Sequence, residues 1–325
     1  MLGVLCSTVP VQAADFYVAT DGDDNQPGSL AQPFGTIGQG IASADNGDVV
    51  HLRGGTYRLM DESTDAIHIT LGGATETGFL TIQAYQDEEP ILLGSLSTEG
   101  QSWTDAGGGL YRMAAEFLHR DPTGMFNGDQ RIEHQMKTVN GTRSHADVVD
   151  LVNPGEWTKA DDAGLGCPSE NTGCFIYLYP FGGEDPTQQL YELSQRKLFY
   201  TGGVSYLTVR GLTVLYTQNS AFSFEGGRGQ LVEDCVLGHN SNGNDNAYSV
   251  FVSYGGGVTI RNNRAFDSKY WGGFSNSKGI TLMDMDPDDP SLIEGNEVYD
   301  IVGEAATTES GVANLVVQRN YVHDV

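Results

Sequence analysis

Short apolar strands separated by polar turns recur through the last third of the chain. The repeated segments are residues 231–237, 258–267, 292–300 and 315–324. Each has a β-branched strand, a turn with Asn or Asp and a second short strand, without helical spacing of its apolar residues. Such repeats cannot bury their apolar faces alone, so they stack as coils around a shared core. The pattern predicts an all-β solenoid of three parallel sheets, a parallel β-helix.

One polar position of the repeat is expected to form a ladder. Anchoring the copies on Asp234, Asn263, Asn296 and Asn320 gives steps of 29, 33 and 24 residues. Each stacked asparagine would bond the backbone of the next coil, about 4.8 Å away. Asparagine suits this position because it tolerates left-handed turns and both donates and accepts hydrogen bonds. The alternative is a β-sandwich of unrelated hairpins, but three copies end in the same N-x-V-x-D or N-x-A-x-D pattern.

The N-terminal region predicts a cap followed by the first coil. A strand from Phe16 leads into a loop rich in Gly, Pro and Asp, then a short amphipathic stretch, residues 37–44, and a further strand. A solenoid needs such a plug over its open apolar end. The motifs are Gly22-Asp23-Asp24, Pro27-Gly28-Ser29, Pro33-Phe34-Gly35-Thr36-Ile37, Gly47-Asp48-Val49-Val50 and Gly54-Gly55-Thr56-Tyr57.

This stretch, residues 16–58, resembles the opening of right-handed parallel β-helix proteins of the pectate-lyase-like group. The resemblance implies the right-handed form of the fold and a groove for polysaccharide on one sheet. The same opening is shared by lyases, hydrolases and epimerases, so it does not choose the reaction.

The repeat rhythm is lost between residues 96 and 200, which predicts a small β subdomain or long loops over the groove. Within it, Cys167 and Cys174 flank a short polar loop and are expected to form a disulfide in an oxidising compartment. Cys235 lies in an apolar strand and is expected to be a free core residue. The run Asn153-Pro-Gly-Glu-Trp157, followed by a Tyr-rich strand and Asp185-Pro186, resembles an element of β-helical glycoside hydrolases related to β-xylosidases. That similarity favours a hydrolase.

The first fourteen residues are typical of a secretion signal, with an apolar run and Val11-Gln12-Ala13 before the cleavage point. We therefore expect a secreted protein, extracellular or periplasmic. The predicted organisation is a signal peptide, a cap with first coils, an inserted subdomain and the main coils (1–14, 15–95, 96–200 and 201–325). The last repeat strand has no cap after it, so the natural protein is expected to continue past Val325.

The charge balance excludes one class of partner. The chain has 43 Asp and Glu against 17 Lys and Arg, a net charge of −26. This charge repels a phosphate backbone, so we expect no nucleic-acid partner. No apolar run is long enough for a membrane span. The expected partner is a polysaccharide or oligosaccharide, bound by a monomer, and an acidic polysaccharide would need bridging cations.

Acidic residues close to the ends of successive strands are candidates for catalysis. The strands just upstream of the repeats carry Glu225, Asp284 or Asp286, and Glu309 toward one outer face. Strict alternation would turn Asp284 inward, so its strand must end or bulge near Met283. Carboxylates on neighbouring coils lie about 5 Å apart, near the 5 to 5.5 Å of retaining glycosidases. Asp284 and Glu309 are the favoured pair, one as acid and the other attacking or activating water, unless they are simply solvated acids.

A calcium-dependent lyase or epimerase would use residues of the same outer face in other roles. Lys278 is a candidate base for removing a proton from a uronate, and the loop around Pro287 offers oxygen ligands for Ca²⁺. Those candidate ligands are Asp286, Asp288 and Asp289. A hydrolase would need no cofactor. A non-catalytic glycan-binding β-helix is the third possibility.

Aromatic side chains that border the predicted groove suit sugar binding in each case, because flat rings stack on apolar sugar faces. The candidates are Tyr248, Tyr254, Tyr270 and Trp271.

Overall fold

The structure, a computed structural model, describes residues 13–58, 66–139, 142–168, 170–242, 247–270, 277–308 and 311–325. Of the predicted signal peptide, residues 1–12 lie outside these ranges. The strands are β1 (Asp15–Val18), β2 (Val49–Leu52), β3 (Gly55–Arg58), β4 (Ile67–Ile69), β5 (Leu80–Ala84), β6 (Pro90–Leu93), β7 (Ser95–Ser97), β8 (Thr104–Gly107), β9 (Leu110–Ala114), β10 (Met125–Asn127), β11 (Gln130–His134), β12 (Met136–Val139), β13 (Thr142–His145), β14 (Glu156–Asp161), β15 (Cys174–Tyr179), β16 (Glu192–Ser194), β17 (Phe199–Gly202), β18 (Leu207–Arg210), β19 (Thr213–Leu215), β20 (Ser220–Glu225), β21 (Leu231–Glu233), β22 (Val236–Asn242), β23 (Ala247–Ser253), β24 (Thr259–Arg261), β25 (Arg264–Tyr270), β26 (Ser277–Met283), β27 (Ser291–Glu294), β28 (Glu297–Tyr299), β29 (Gly303–Thr308), β30 (Leu315–Gln318) and β31 (Tyr321–His323). The helix α1 spans Ile37–Ser43, and short 3-10 turns span Val148–Asp150, Phe181–Gly183 and Pro186–Gln188.

Three parallel sheets form the body of the molecule. Sheet 1 has the order β1-β2-β5-β18-β21-β24-β27-β30, sheet 2 the order β3-β6-β19-β22-β25-β28-β31, and sheet 3 the order β4-β17-β20-β23-β26-β29. Each coil contributes one strand to each sheet, as β21, β22 and β23 do before β24, β25 and β26 repeat the path. Connections between parallel strands are right-handed for steric reasons. The predicted right-handed parallel β-helix is confirmed.

The inner faces of the sheets supply one continuous apolar core. In sheet 3, Phe222, Val250 and Ile280 occupy the same register position on successive strands, and all three are fully buried. The rings of Phe199 and Phe222 stack with centroids 5.6 Å apart. Burying a side chain of this size stabilises the fold by about 1.5–3 kcal/mol. The stacked core fixes the register, and the register fixes which side chains meet on the outside.

The asparagine ladder is present, with one correction to its first step. Asn263 and Asn296 each donate a backbone N–H to the Oδ1 of the next asparagine at 2.9 Å, the last being Asn320. The pairing of Glu233 with Arg261 places Cys235, and not Asp234, beside Asn263. The backbone N–H of Cys235 donates to Asn263 Oδ1 at 3.0 Å. A thiol therefore occupies the first ladder position, which is why the sequence alignment was wrong by one residue. Cys235 is free and buried, as predicted.

The cap follows from short-range chemistry in the N-terminal motifs. Asp24 accepts hydrogen bonds from the backbone of Gly35 and Thr36 at 2.9 and 2.8 Å. Thr36 caps α1 by accepting from the Gln39 N–H. At Gly40 a Cβ would lie 2.6 Å from Val18, so only glycine lets the helix approach the first coil. None of the helices in the described ranges is long and apolar enough to cross a membrane.

The excursion from the coils runs from β7 to β16, and coils resume at β17. Its eight-stranded, largely antiparallel sheet has the order β7-β16-β10-β11-β14-β15-β9-β8 and its own core around the fully buried Trp157. Cys167 and Cys174 form the expected disulfide beside that core. The excursion is thus a small β subdomain rather than a set of loops.

Two histidines in the excursion make its stability depend on pH. The ring of His134 stacks on Trp157 with centroids 3.6 Å apart, and its Nε2 lies 2.9 Å from Nδ1 of His145. Burial, with the nearby His145, holds the pKa of His134 well below its usual value. Burial also lowers the pKa of His145, outweighing the hydrogen bond with Asp121. Both histidines are therefore neutral in the folded protein near pH 7.

We expect the melting temperature to fall as the pH drops from 7 to 5. The unfolded histidines gain protons below about pH 6.5 while the folded ones do not, so the stability present above that pH is lost as the pH falls toward the folded pKa values. Each contributes a slope of up to about 1.4 kcal/mol per pH unit. In His134→Phe, which keeps a ring on Trp157, the melting curve should shift less with pH. Equal pH dependence in this variant, in the exposed-site control His119→Asn and in the unmodified protein would contradict the assignment.

Candidate functional site

The outer face of sheet 3 carries the first of the predicted acids. Glu225 ends β20 and shares a register row with Ser253 and Met283 on the next two strands. Its Oε2 accepts a hydrogen bond from the Tyr200 hydroxyl at 3.0 Å, and this bond raises the pKa of Tyr200. Beyond Tyr200 lies the ring of His68, 5.1 Å away between centroids. The outer face of sheet 3 around Glu225 therefore presents hydroxyl, carboxylate and aromatic groups together.

Asp284 lies where the sequence required a break in the strand. β26 ends at Met283, and Asp284 adopts a left-handed backbone conformation with φ 49°. Its half-buried carboxylate turns toward the following coil: a Cβ built on Gly311 would lie 2.4 Å from Asp284 Oδ1. Glu309, its predicted partner, lies outside the described residues, two positions before Gly311 in the chain. The carboxylate of Asp284 thus adjoins the segment that follows Glu309.

Lys278 lies at the opposite end of the same strand. Its Nζ is 3.0 Å from Glu304 Oε2, and its side chain is only 10% exposed. It lies six positions before Asp284, about 20 Å along a strand. The structure does not bring this candidate base to the candidate acid pair.

The carboxylates of the aspartate-rich loop, Asp286, Asp288 and Asp289, do not converge on one point. The carboxylate of Asp289 is paired with Arg228 at 2.6 Å, and Asp286 accepts the backbone N–H of Asp288 at 3.0 Å. Within the described part of the chain, no three His, Cys, Asp or Glu residues gather into a group that could hold a metal ion. The arginine already neutralises one proposed ligand, so the loop fits calcium poorly as it is arranged. Calcium binding stays a prediction.

The four candidate aromatic residues separate into different settings. Tyr254 follows β23 with φ 56°, is 66% exposed, and lies beside Asp284 in the neighbouring coil. Tyr248 is only 8% exposed and packs on Phe251 with centroids 4.7 Å apart. The side chain of Tyr270 and all of Trp271 lie outside the described residues. Tyr254 is therefore the exposed ring that adjoins the acid site.

Comparisons with solved structures agree with the fold. The structure of XylC with xylose matches with a TM-score of 0.60 and 15% identity, covering 95% of this chain and 62% of that protein. A solved glycoside hydrolase matches with a TM-score of 0.50 and 10% identity, covering 95% and 96%. This chain has the right-handed parallel β-helix fold.

Sequence comparison adds one local match. Pectate lyase PEL9 of Emericella nidulans is 36% identical over 84 residues, which are 26% of this chain and 19% of that protein. No protein-family model matches the chain. The β-helix chain therefore spans less than two thirds of XylC and about a fifth of the pectate lyase.

His239 is a packing residue of the β-helix, although the run around it, residues 238–245, is polar. It is 2% exposed, its Nδ1 lies 2.7 Å from Asp267 Oδ2, and its ring stacks on Tyr216. Arg131 of the excursion reaches the same carboxylate at 3.0 Å. Burial raises the pKa of Asp267, but the charge of Arg131 and the His239 hydrogen bond outweigh it and lower that pKa overall. This cluster fastens the excursion to sheet 2.

The Pro-Gly-Glu-Trp element of the β-helix excursion also has a structural role. Glu156 accepts the backbone N–H groups of Val152 and Asn153 at 2.7 and 2.8 Å and the side-chain amide of Gln135 at 3.0 Å. Gly155 has φ 91° and leaves room for the ring of Phe181, which would lie 2.1 Å from a Cβ there. The motif closes a loop and lies away from the candidate acids.

Proposed function

We propose that this protein is a secreted glycoside hydrolase that cleaves a polysaccharide with Asp284 and Glu309. The observation that carries the proposal is the position of Asp284 at the end of β26, its carboxylate turned toward Gly311 on the next coil. Two of the fold matches support it: the structure of one, XylC, holds xylose, and the other is a glycoside hydrolase.

The chemistry follows from two carboxyl groups on consecutive coils. Strands of neighbouring coils lie about 4.8 Å apart, close to the separation in retaining glycosidases. One carboxyl group, in its acid form, gives its proton to the glycosidic oxygen as the C–O bond breaks. The other, as carboxylate, attacks the anomeric carbon or activates the water that does. No cofactor is needed for these steps.

Two further groups are assigned to substrate binding. Tyr254 offers an exposed ring beside Asp284 for the apolar face of a sugar. Glu225 lies two coils from Asp284, about 10 Å by strand spacing, and its carboxylate already accepts a bond from Tyr200. We assign Glu225 to hydrogen-bonding a more distant sugar unit.

Export is part of the proposal. The apolar run and small-x-small site in residues 1–14 are typical of a secretion signal. The Cys167–Cys174 disulfide supports an oxidising compartment, because disulfides are rare where cellular thiols stay reduced.

A calcium-dependent lyase or epimerase acting on a uronate polymer is the second candidate, favoured by the local identity with a pectate lyase. Lys278 would be its base.

The test is to incubate the protein with neutral and acidic polysaccharides and follow reducing ends and ultraviolet absorbance together. A hydrolase releases reducing ends without new absorbance and resists chelators. New absorbance from an unsaturated uronate, abolished by a chelator, would replace the hydrolase proposal with the lyase. If no glycan gives either reducing ends or new absorbance, the remaining possibility is a non-catalytic, glycan-binding β-helix.

Gly311→Ala tests the geometry that places Asp284. The added Cβ would lie 2.4 Å from Asp284 Oδ1, so the carboxylate must move, and we expect a loss of activity of about tenfold or more. Gly100→Ala is the matched control: φ is 76° there against 71° at Gly311, and nothing lies within 4 Å of its Cβ. Both variants should lose about 1 kcal/mol of stability from the left-handed backbone. Equal activity in the two variants would show that the position of Asp284 does not matter.

A further inference from the structure

A polar pocket lies where the chain passes from sheet 2 to sheet 3, beside the excursion. Its volume is about 200 Å³. Lys197 precedes β17 by two residues, Asn219 immediately precedes β20, and Asn242 ends β22. The excursion closes one side through Arg120. The lining residues are Arg120, Gln195, Lys197, Gln218, Asn219 and Asn242.

The composition of this pocket is opposite to that of the whole chain. Of the six described lining residues, two are cationic and four carry amides, in a protein of net charge −26. The adjacent Asp121 directs its carboxylate elsewhere, to His145 at 2.8 Å and Lys159 at 2.5 Å. The described lining of the pocket is therefore basic and rich in amides.

Two hydrogen bonds of lining side chains fix the position of the pocket walls. Gln195 is fully buried, and its Oε1 accepts the backbone N–H of Arg120 at 2.9 Å. The side-chain amide of Gln218 donates to the backbone carbonyl of Asp121 at 3.2 Å. These two bonds tie the excursion to the segments that precede β17 and β20, so the cation of the excursion and that of the coils face one cavity.

We propose that this pocket binds the carboxylate of a uronic-acid unit in the glycan. Lys and Arg form charge-assisted hydrogen bonds with carboxylates, and side-chain amides both donate to and accept from sugar hydroxyls. The inference rests on the proposed function, since the acidic unit belongs to the same glycan that is cleaved. Lys197 is three coils and six strand positions from Asp284, about 25 Å by strand spacing and rise. The uronate thus binds remote from the cleaved bond, and the substrate is a polymer.

Binding is measured by calorimetry with glucuronate, with glucose as the neutral probe. Glucuronate should bind detectably and glucose at least about tenfold more weakly. Lys197→Met should weaken glucuronate binding about tenfold, as expected for a lost charged hydrogen bond. The matched control Lys137→Met removes a lysine paired with Asp147 on the excursion hairpin, and should change nothing. Equal binding of the two sugars, or equal loss in both variants, would overturn the subsite.

Kinetics separate this subsite from the catalytic proposal. On an acidic polysaccharide Lys197→Met should raise KM several-fold with kcat unchanged, because a remote contact is the same in ground and transition states. Asp284→Asn should still bind glucuronate with unchanged affinity. If glucuronate binds as predicted but no glycan is cleaved, the catalytic proposal fails and the subsite stands. If glycans are cleaved and Lys197→Met leaves KM and binding unchanged, the subsite fails alone.

Discussion

Asp284→Asn and Glu309→Gln should each lower kcat on the cleaved polysaccharide by at least about a hundredfold. Removing a group that donates or accepts a proton in the transition state costs 10²–10⁴-fold in typical enzymes. Asparagine keeps the shape of the side chain and tolerates the left-handed backbone at Asp284, where φ is 49°. The measurement is the initial rate of reducing-end release, with the melting temperature recorded for each variant.

Asp234→Asn is the matched control for this experiment. Asp234 is an exposed carboxylate at a coil turn with φ 54°, so the same chemical change is made in the same backbone conformation. Its rate should stay within about twofold of the unmodified protein, as expected for an exposed side chain remote from the site. Full activity of Asp284→Asn and Glu309→Gln would remove the acid pair, and an equal loss in Asp234→Asn would show that the effect is not local.

Asn296→Ala should destabilise the protein by about 3 kcal/mol. Asn296 is 1% exposed, accepts the Asn263 N–H at 2.9 Å and donates to the Ile260 carbonyl at 3.0 Å. Alanine leaves both backbone groups buried without these partners, and each such group costs about 1–3 kcal/mol. The measurement is urea unfolding followed by circular dichroism, where the midpoint should fall and the slope stay constant.

Asparagines of different burial provide the controls for this prediction, because the expected loss of stability falls as exposure rises. Asn320 makes equivalent bonds, to Asn296 at 2.9 Å and to the Ile293 carbonyl at 2.9 Å, but is half-buried at the last coil. Asn320→Ala should therefore cost only about 1 kcal/mol, because water reaches the groups left behind. Asn25→Ala, at an exposed side chain bonded only to Asp23, should cost less still. Three equal losses would show that the ladder is not a special source of stability.

The coils could be predicted because their signal is local and repeated. Each coil needs β-branched strands and a turn that accepts asparagine, so Asn263, Asn296 and Asn320 are visible in the sequence as a spaced pattern. The register error at Asp234 arose where Cys235 replaces the ladder asparagine and the pattern has no polar marker. The break after Met283 could be inferred from alternation alone, since a carboxylate cannot share the inward face of Leu282 without cost.

The strand order of the excursion and its contacts with the coils could not be predicted, because they depend on pairs distant in sequence. Strand β16 pairs with β7 across about a hundred residues, joining Leu193 to Leu96. The ring of His239 packs on Phe126, and its partner Asp267 is bound by Arg131, and both Phe126 and Arg131 belong to the excursion. The Arg120–Lys197 pocket likewise joins separate segments of the chain. The pattern of apolar and polar residues within one segment does not predict such contacts.

The most direct test of the acid pair is the distance between the Asp284 and Glu309 carboxyl carbons in a crystal of the protein with an oligosaccharide bound. The account predicts about 5 to 5.5 Å, with a glycosidic oxygen within hydrogen-bond reach of one of the two groups. Carboxyl groups more than about 10 Å apart, or a sugar chain bound away from the end of β26, would contradict it.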